Sequence, residues 1–165
     1  MSGPIGLRPV TEQDGFLIRR WLREASARAG LGNRASAEAE IALARMSASA
    51  LCRIVTAERG LPIGYAQAVE VGLSAGLKPP EMLPGTWDLQ FMLAASGRRA
   101  ALAAVPAVLA AEVFATTLAV ACCGLISIRQ ETVVRAYERA GFRWRRIWND
   151  PLFGPAWLML KERPR

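Results

Sequence analysis

The spacing of apolar and polar residues changes period several times along this chain of 165 residues. Alternation at every second residue predicts two antiparallel strands in "ALCRIVTAE" and "IGYAQAVEV", with "RGLP" as the turn between them. The following loop, "GLSAGLKPPEMLPG", is too rich in Gly and Pro for regular structure. It leads into a third predicted strand, "TWDLQFML".

Two longer segments are typical of helices. In front of "GFLIRRWLREASA", Thr11 and Asp14 have the three-residue spacing of a helix start. The segment "QETVVRAYERA" is predicted as another helix, which ends at Gly141. Helices in both the first and the last third of the chain exclude an all-β fold.

The remaining segments complete the order β-α-α-β-β-β-α-β-α-β-β, which predicts an α+β fold: a mixed α/β layer with helices on both faces of one sheet. Neither a repeat nor a linker divides the chain, so we expect one domain over residues 1–165. The added segments are a strand "IGLRPV", a polar helix near residues 35–46, a helix over 95–114, a buried strand "LAVACCGLISI" and a closing hairpin "FRWRRIWNDPLFGPAWLMLKE".

The apolar stretch from Ala100 to Ile126 is long enough to cross a bilayer. Glu112 would then lie near the membrane centre, at a cost of about 2.5 to 3.5 kcal/mol. Alanine dominates where leucine is expected, and β-formers replace helix formers partway along, which favours a helix followed by a buried strand. The N-terminus shows no basic flank before an apolar run, so we expect a cytoplasmic protein with no membrane segment.

The composition excludes several kinds of site. The chain has no histidine, and its three cysteines, Cys52, Cys122 and Cys123, are not spaced as C-x-x-C. We therefore expect no metal and no histidine-based catalysis. Cys122 and Cys123 are neighbours, so on a strand they point to opposite faces, and we interpret both as small apolar packing thiols in a reducing compartment.

The net charge of +7 is unevenly distributed. Between Leu61 and Ser96 the only basic residue is Lys78, whereas arginines are frequent after Gly97. An acidic middle and a basic C-terminal third suit a protein that holds a cationic ligand on one side and an anionic one on the other. The arginines are spread over two predicted helices and a hairpin, which disfavours nucleic acid as the partner.

Three segments make the chain similar to a known superfamily. "LRPVTEQD", "PIGYAQ" and "VVRAYERAGF" resemble the GCN5-related N-acetyltransferases, which move an acetyl group from acetyl-CoA to an amine. "PIGYAQ", the W-D strand and the ending "GPAWLML" look most like the aminoglycoside 6'-N-acetyltransferases and their siderophore-acylating relatives. The resemblance implies a mostly antiparallel, twisted sheet that splays at the cofactor cleft, and direct transfer through a ternary complex.

The resemblance also implies two catalytic residues. Asp88 matches a strand position that faces the acceptor amine, where an aspartate acts as the base or anchors the ammonium group. The alternative for Asp88 is a loop cap or a surface ion pair. Tyr137 matches the tyrosine whose hydroxyl approaches the CoA sulfur and acts as an acid; the alternative is a core tyrosine with a satisfied hydroxyl.

By the same resemblance, acetyl-CoA contacts the end of the W-D strand and the loop and helix after it. The family pattern Q/R-x-x-G-x-G/A lets backbone amides and the helix dipole hold the pyrophosphate. In one register Arg99 stands at the first glycine position and Ala101 at the second, whereas the next register places Ala100 and Leu102 there. The cofactor-binding residues that the resemblance implies are Phe91, Met92, Leu93, Gly97, Arg98, Arg99, Ala100, Ala101 and Gln130.

This chain departs from the family pattern at three places. Arg98 and Arg99 carry charge that suits phosphate, but the Arg99 side chain also has the size to fill the pyrophosphate space. Pro106 either kinks the following helix or marks its start. Gln130 stands where the family carries an asparagine that contacts the pantetheine arm.

The acceptor is expected to be a small-molecule amine. Aminoglycosides are polycations, for which Glu70, Glu81 and Trp87 are the candidate binding residues beside Asp88. A polyamine, a siderophore precursor and a protein lysine stay open as acceptors. A further alternative is a degenerate domain with impaired CoA binding that acts as a binding module or homodimer through Trp144, Trp148 and Trp157.

Overall fold

Alternating strands and helices follow one another in the order that the sequence predicts. The computed structural model describes residues 4–24, 34–73, 79–95, 98–150 and 154–165, with the side chains of 34–37, 73 and 98–100 excepted. The strands are β1 (Gly6–Pro9), β2 (Ala50–Thr56), β3 (Pro62–Glu70), β4 (Thr86–Leu93), β5 (Ala121–Ser127), β6 (Arg143–Asp150) and β7 (Gly154–Glu162). The helices are α1 (Gly15–Arg23), α2 (Arg34–Met46), α3 (Arg98–Thr116) and α4 (Glu131–Arg139).

The strands form one seven-stranded sheet in the order β1-β2-β3-β4-β5-β7-β6. Neighbouring strands are antiparallel except β4 and β5, so the sheet is mixed, and the predicted α+β layer fold is confirmed. The β4–β5 pairing runs only from Thr86 with Ala121 to Asp88 with Cys123. Beyond that point β4 continues to Leu93 and β5 to Ser127 as separate strands, which leaves a gap in the sheet.

Helices α3 and α4 cover one face of the sheet. The buried side chains of α3 recur every four residues, at Ala101, Val105, Leu109 and Val113, because that spacing keeps them on one side of a helix. They pack with α4 and the sheet in the larger hydrophobic cluster. Pro106 lies inside α3, which begins at Arg98, so Pro106 does not mark the helix start.

Helices α1 and α2 cover the opposite face. Trp21 and Leu22 from α1 and Ile41 from α2 pack on Tyr65 of β3 and Met92 of β4. Cys122 and Cys123 of β5 are both buried, the first in the α3–α4 cluster and the second in a small cluster on the other face. Their predicted positions on opposite faces are confirmed.

Glu112 has an ion-pair partner within the fold. Arg53 on β2 donates from Nε to Glu112 Oε1 on α3 at 2.6 Å. The stretch that was long enough for a membrane span is therefore helix α3 followed by strand β5, as the sequence favours. Within the described ranges, no helix combines the length and apolar character that a membrane crossing requires.

The segment before α1 also follows the sequence prediction. The Thr11 backbone N–H donates to Asp14 Oδ2 at 2.7 Å, and Thr11 Oγ1 lies 2.9 Å from the same oxygen. Arg8 on β1 then binds Asp14 through both guanidinium nitrogens, at 2.8 and 2.7 Å. Asp14 thus fixes the start of α1 against the edge strand, and Arg8 holds the pKa of that carboxyl well below its usual range.

Candidate active site

The gap between β4 and β5 exposes backbone groups that a complete sheet would pair. Ala94 N–H donates to Ile63 C=O at 2.8 Å, which sets the hydrogen-bonded pairs of the β3–β4 ladder. These pairs alternate along an antiparallel ladder, so Asp88, Gln90 and Met92 direct their backbone groups to β3. The residues that alternate with them are Leu89, Phe91 and Leu93, and their backbone groups point to the gap.

Asp88 lies at the last paired position before the gap and is half-buried. Its side chain points to the α1–α2 face, where it ends a chain of hydrogen bonds. Tyr65 Oη donates to Gln67 Oε1 at 2.8 Å, and Gln67 Nε2 donates to Gln90 Oε1 at 3.0 Å. Gln90 Nε2 then donates to Asp88 Oδ2 at 3.0 Å. We call Tyr65, Gln67 and Gln90 the polar chain.

Two further carboxylates belong to the same face, and sequence reasoning missed both. The Glu40 side chain on α2 interacts with Gln90, the residue that also binds Asp88. Burial raises the pKa of Glu40, the Gln90 hydrogen bond lowers it, and the charge of Asp150 at the end of β6 raises it. Glu40 in a polar helix and Asp150 in an exposed strand resemble solvated positions in the sequence, and only the fold brings them together.

Tyr137 lies on the other side of the sheet, under the gap. Its hydroxyl donates to the Leu89 carbonyl oxygen at 3.0 Å, so it binds one of the backbone groups that face the gap. Burial raises the pKa of Tyr137 well above its usual value, and the nearby charge of Asp88 adds to the shift. The ring packs so closely on β5 that a Cβ at Gly124 would lie 2.6 Å from Tyr137 Cε1.

The predicted cofactor-binding residues lie around the gap as far as the structure describes them. Phe91 and Leu93 point their backbone to the gap and their side chains into the α3–α4 core, whereas Met92 has the opposite orientation. Ala101 is fully buried on α3, and Gln130 is the N-cap of α4 and half-buried. Gly97 lies outside the described residues, and for Arg98, Arg99 and Ala100 only the helical backbone is described.

The three predicted acceptor-binding residues lie in different surroundings. Trp87 is buried in the α3–α4 core, and Glu70 pairs with it on β3, so both belong to the face opposite the Asp88 side chain. Glu81 binds Arg146 on β6, with Nη2 donating to Oε2 at 2.9 Å. Arg146 holds the pKa of Glu81 below its usual value, so this carboxylate is already paired with a cation.

The tryptophans of the last hairpin are divided between the two faces. Trp144 and Trp157 contact each other, with ring centroids 5.3 Å apart, whereas Trp148 lies on the other face beneath the Arg146 guanidinium. The three rings therefore do not share one surface. The indole Nε1 of Trp148 is buried and finds no hydrogen-bond acceptor among the residues that the structure describes.

Comparison with solved structures shows which proteins share this arrangement. The aminoglycoside acetyltransferase AAC(6')-Ib in complex with coenzyme A has a TM-score of 0.81 and 26% sequence identity, over 97% of this chain and 95% of that one. For AAC(6')-Ib11 the TM-score is 0.74 at 24% identity, over 97% of both chains. Spermidine N-acetyltransferase from Vibrio cholerae with CoA and spermine has a TM-score of 0.73 at 10% identity, over 96% and 95%.

No family model matches the sequence, and no curated protein sequence matches it with significance. The structural likenesses nevertheless confirm the resemblance to the GCN5-related N-acetyltransferases, most of all to the aminoglycoside 6' enzymes. They also confirm the fold class and support an acyltransferase. The likeness to the spermidine enzyme is one of fold alone.

Proposed function

We propose that this chain, which has the GCN5-related N-acetyltransferase fold, transfers an acetyl group from acetyl-CoA to a primary amine, with an aminoglycoside as the preferred acceptor. The observation that carries the proposal is the parting of β4 and β5 directly after Asp88 and Cys123. At that point backbone groups that β5 no longer pairs point into the gap, while the Asp88 carboxylate points out of the sheet to the α1–α2 face.

The cofactor side is supported by backbone geometry. Phe91 and Leu93 offer their backbone groups to the gap, where an extended amide-containing arm can replace the missing strand partner, whereas the Leu89 carbonyl is already bound by Tyr137. Helix α3 begins at Arg98, a few residues after β4 ends. The backbone N–H groups at its N-terminus therefore follow the gap closely and suit the phosphates of the same cofactor. Acetyl-CoA would supply the activated acetyl thioester.

The chemistry requires an uncharged amine, stabilisation of an oxyanion and a proton for the departing thiolate. The amine nitrogen forms a bond to the acetyl carbon as the C–S bond breaks, and the amine loses a proton. Asp88 receives the amine from the α1–α2 face. Tyr137 stays protonated because burial raises its pKa, so its hydroxyl can donate a hydrogen bond to the developing thiolate after exchanging its bond to Leu89, and the proton lost by the amine completes the thiol.

The α1–α2 face, where the acetyl-accepting amine would bind, favours a cation. Glu40 interacts with Asp150 and, like Asp88, with Gln90, so three carboxylates lie on this face, while Glu81 is neutralised by Arg146. Among the solved structures of similar fold, sequence identity is 26% to an aminoglycoside 6' enzyme and 10% to a spermidine enzyme, and this difference ranks an aminoglycoside above spermidine.

The test begins with calorimetric titration of acetyl-CoA into the purified protein. We expect micromolar binding, followed by thiol release when kanamycin is added and less release with spermidine. Asp88→Asn should reduce the turnover of kanamycin and leave acetyl-CoA binding intact. Glu58→Gln is the matched control, because Glu58 is an exposed carboxylate in the turn between β2 and β3.

The loop before α3 decides what a failure to bind acetyl-CoA would mean. If the wild type does not bind and Arg99→Gly does, the Arg99 side chain occupies the pyrophosphate position and the chain is a degenerate acetyltransferase domain. If neither protein binds acetyl-CoA, the proposed activity is wrong. Binding with no transfer to kanamycin or to spermidine would refute the acceptor and leave the cofactor assignment.

A further inference from the structure

The polar chain has a fixed direction. A tyrosine hydroxyl donates to Gln67, the Gln67 amide donates to Gln90, and the Gln90 amide donates to Asp88. A carboxylate can only accept, so each donor in the series points toward Asp88. Aligned hydrogen bonds polarise one another, and their combined effect falls on the last acceptor.

The far end of the polar chain meets Cys52 on β2, a thiol whose pKa is raised by burial and which therefore stays protonated at neutral pH. Tyr65 is fully buried, and burial raises the pKa of its hydroxyl, which therefore keeps its proton and remains a donor. Gln67 is 2% exposed, and an amide side chain does not release protons at neutral pH. The series therefore does not lead a proton from Asp88 to solvent. Its physical effects are orientation and stabilisation of charge.

Gln90 is the branch point of this arrangement. Its amide oxygen accepts from Gln67 and its amide nitrogen donates to Asp88, while the Glu40 side chain interacts with Gln90 from α2. The two N–H groups of one amide can serve two carboxylates at once, which separates two like charges that would otherwise repel. Gln67 fixes the plane of the Gln90 amide, so the position of the Asp88 carboxylate depends on both.

We infer that Gln90, held by Gln67 and Tyr65, is a positioning residue that keeps Asp88 oriented and ionised as the anionic anchor of the acceptor ammonium group. The inference rests on the proposed transferase function and chooses between the two roles that stay open for Asp88. A carboxylate whose anionic form is stabilised by donors is a weaker base and a better partner for a cation. The ammonium group then loses its proton to water before the nitrogen attacks.

Other titratable groups face Asp88 and must be held constant in a test. Cys123 on β5 places its Sγ 3.9 Å from Asp88 Oδ1, and Tyr137 on α4 interacts with Asp88 electrostatically. Glu40 on α2 lies across Gln90, and Asp150 on β6 faces Glu40. None of these four residues is altered in the variants below.

The main variant is Gln90→Met, which keeps the length of the side chain and removes its donors. We expect the KM for the acceptor amine to rise about tenfold, kcat to change less than threefold and the KM for acetyl-CoA to stay constant, because anchoring acts on amine binding. The acidic limb of the pH profile of kcat/KM should move to higher pH, since protonation of Asp88 is no longer opposed by Gln90. A fall in kcat at constant KM, or an unmoved acidic limb, would overturn the inference.

A graded series distinguishes positioning from packing. Gln90→Glu, which puts a third carboxylate between Asp88 and Glu40, should raise the amine KM more than Gln90→Met does. Tyr65→Phe removes only the most distant donor and should have the smallest effect of the three. Gln13→Met is the matched control, because Gln13 is exposed in the turn before α1. Equal effects at Tyr65 and Gln90 would indicate a packing role only.

Two further measurements distinguish failure of the inference from loss of folding and from failure of the proposed activity. The triple variant Tyr65→Phe/Gln67→Met/Gln90→Met removes every buried polar group that Gln90→Met or loss of Gln67 leaves unpaired, so it should regain thermal stability but keep the raised KM. In the cofactor-free protein, the ¹³C signal of the Asp88 carboxyl can be titrated without turnover. Its midpoint should move to higher pH in Gln90→Met; an unchanged midpoint would overturn the inference even if the protein has another activity.

Discussion

The two faces of β4 contain opposite kinds of side chain, although they belong to one strand of eight residues. On the α1–α2 face, Asp88 and Gln90 are half-buried and joined by a hydrogen bond. On the α3–α4 face, Leu89 and Phe91 are buried in the larger cluster, and only their backbone groups face the gap. The amine side of the proposed reaction therefore depends on side chains, whereas the thioester side depends on backbone. A substitution on the α1–α2 face should therefore change catalysis, whereas a substitution on the α3–α4 face should change the stability of the fold.

Leu89→Ala tests the apolar face and has the largest expected effect. Leu89 is 2% exposed, so truncation leaves a cavity and should lower the free energy of unfolding by about 3 kcal/mol. Denaturant unfolding measures this change. At a temperature where the variant is folded, the KM for the amine should stay within twofold of the wild type. A variant of normal stability with a raised amine KM would break the comparison.

Asp88→Asn tests the polar face at the adjacent residue. Loss of the negative charge should reduce kcat/KM for the amine about fiftyfold, which corresponds to about 2.3 kcal/mol of transition-state stabilisation. The unfolding midpoint should change little, because asparagine can still accept the hydrogen bond from Gln90. Steady-state kinetics and a thermal melt on the same preparation provide the test. Unchanged turnover would remove Asp88 from the proposed mechanism.

Asp14→Asn tests a carboxylate that lies outside the gap, for comparison with Asp88. Arg8 and Thr11 lower the pKa of Asp14, so its ion pair stabilises the fold above the ordinary aspartate pKa of about 4 and this contribution is lost as the pH falls below it. At pH 7 the substitution should cost about 2 kcal/mol, given that Arg8 is partly exposed. Thermal melts should show the difference from wild type narrowing below pH 4. A difference that is independent of pH would contradict the assignment to this ion pair.

Tyr137→Phe tests the residue that connects the apolar face with the gap. Loss of the hydroxyl should reduce turnover about tenfold, or about 1.4 kcal/mol, if it donates a hydrogen bond to the developing thiolate. The Leu89 carbonyl would also lose its partner, so the free energy of unfolding must be measured beside the rate. Equal turnover in the variant and the wild type would identify Tyr137 as a core residue whose hydroxyl is satisfied by Leu89.

The sequence predicts the bounds of strands and helices better than it predicts which distant residues contact one another. The segment "TWDLQFML" and the observed strand Thr86–Leu93 coincide, because β-formers lie between clear turn residues. Glu40 and Gln90 are fifty positions apart, and no local pattern indicates that the fold joins them. The resemblance implies that Trp87 binds the acceptor beside Asp88, yet adjacent residues of a strand point to opposite faces. The roles predicted for individual residues remain predictions until they are measured.

Glu81→Gln has the smallest expected effect and tests whether the acidic acceptor side includes the loop before β4. Arg146 already pairs with Glu81 and lowers its pKa, so the carboxylate attracts a second cation only weakly. The substitution should change the amine KM less than twofold and the melting temperature by about 1 °C or less, because exposed ion pairs contribute little. Steady-state kinetics with kanamycin and a thermal melt provide the two values. An amine KM raised as much as in Asp88→Asn would extend the acceptor site to this loop, and amine binding would then depend on residues outside β4 as well.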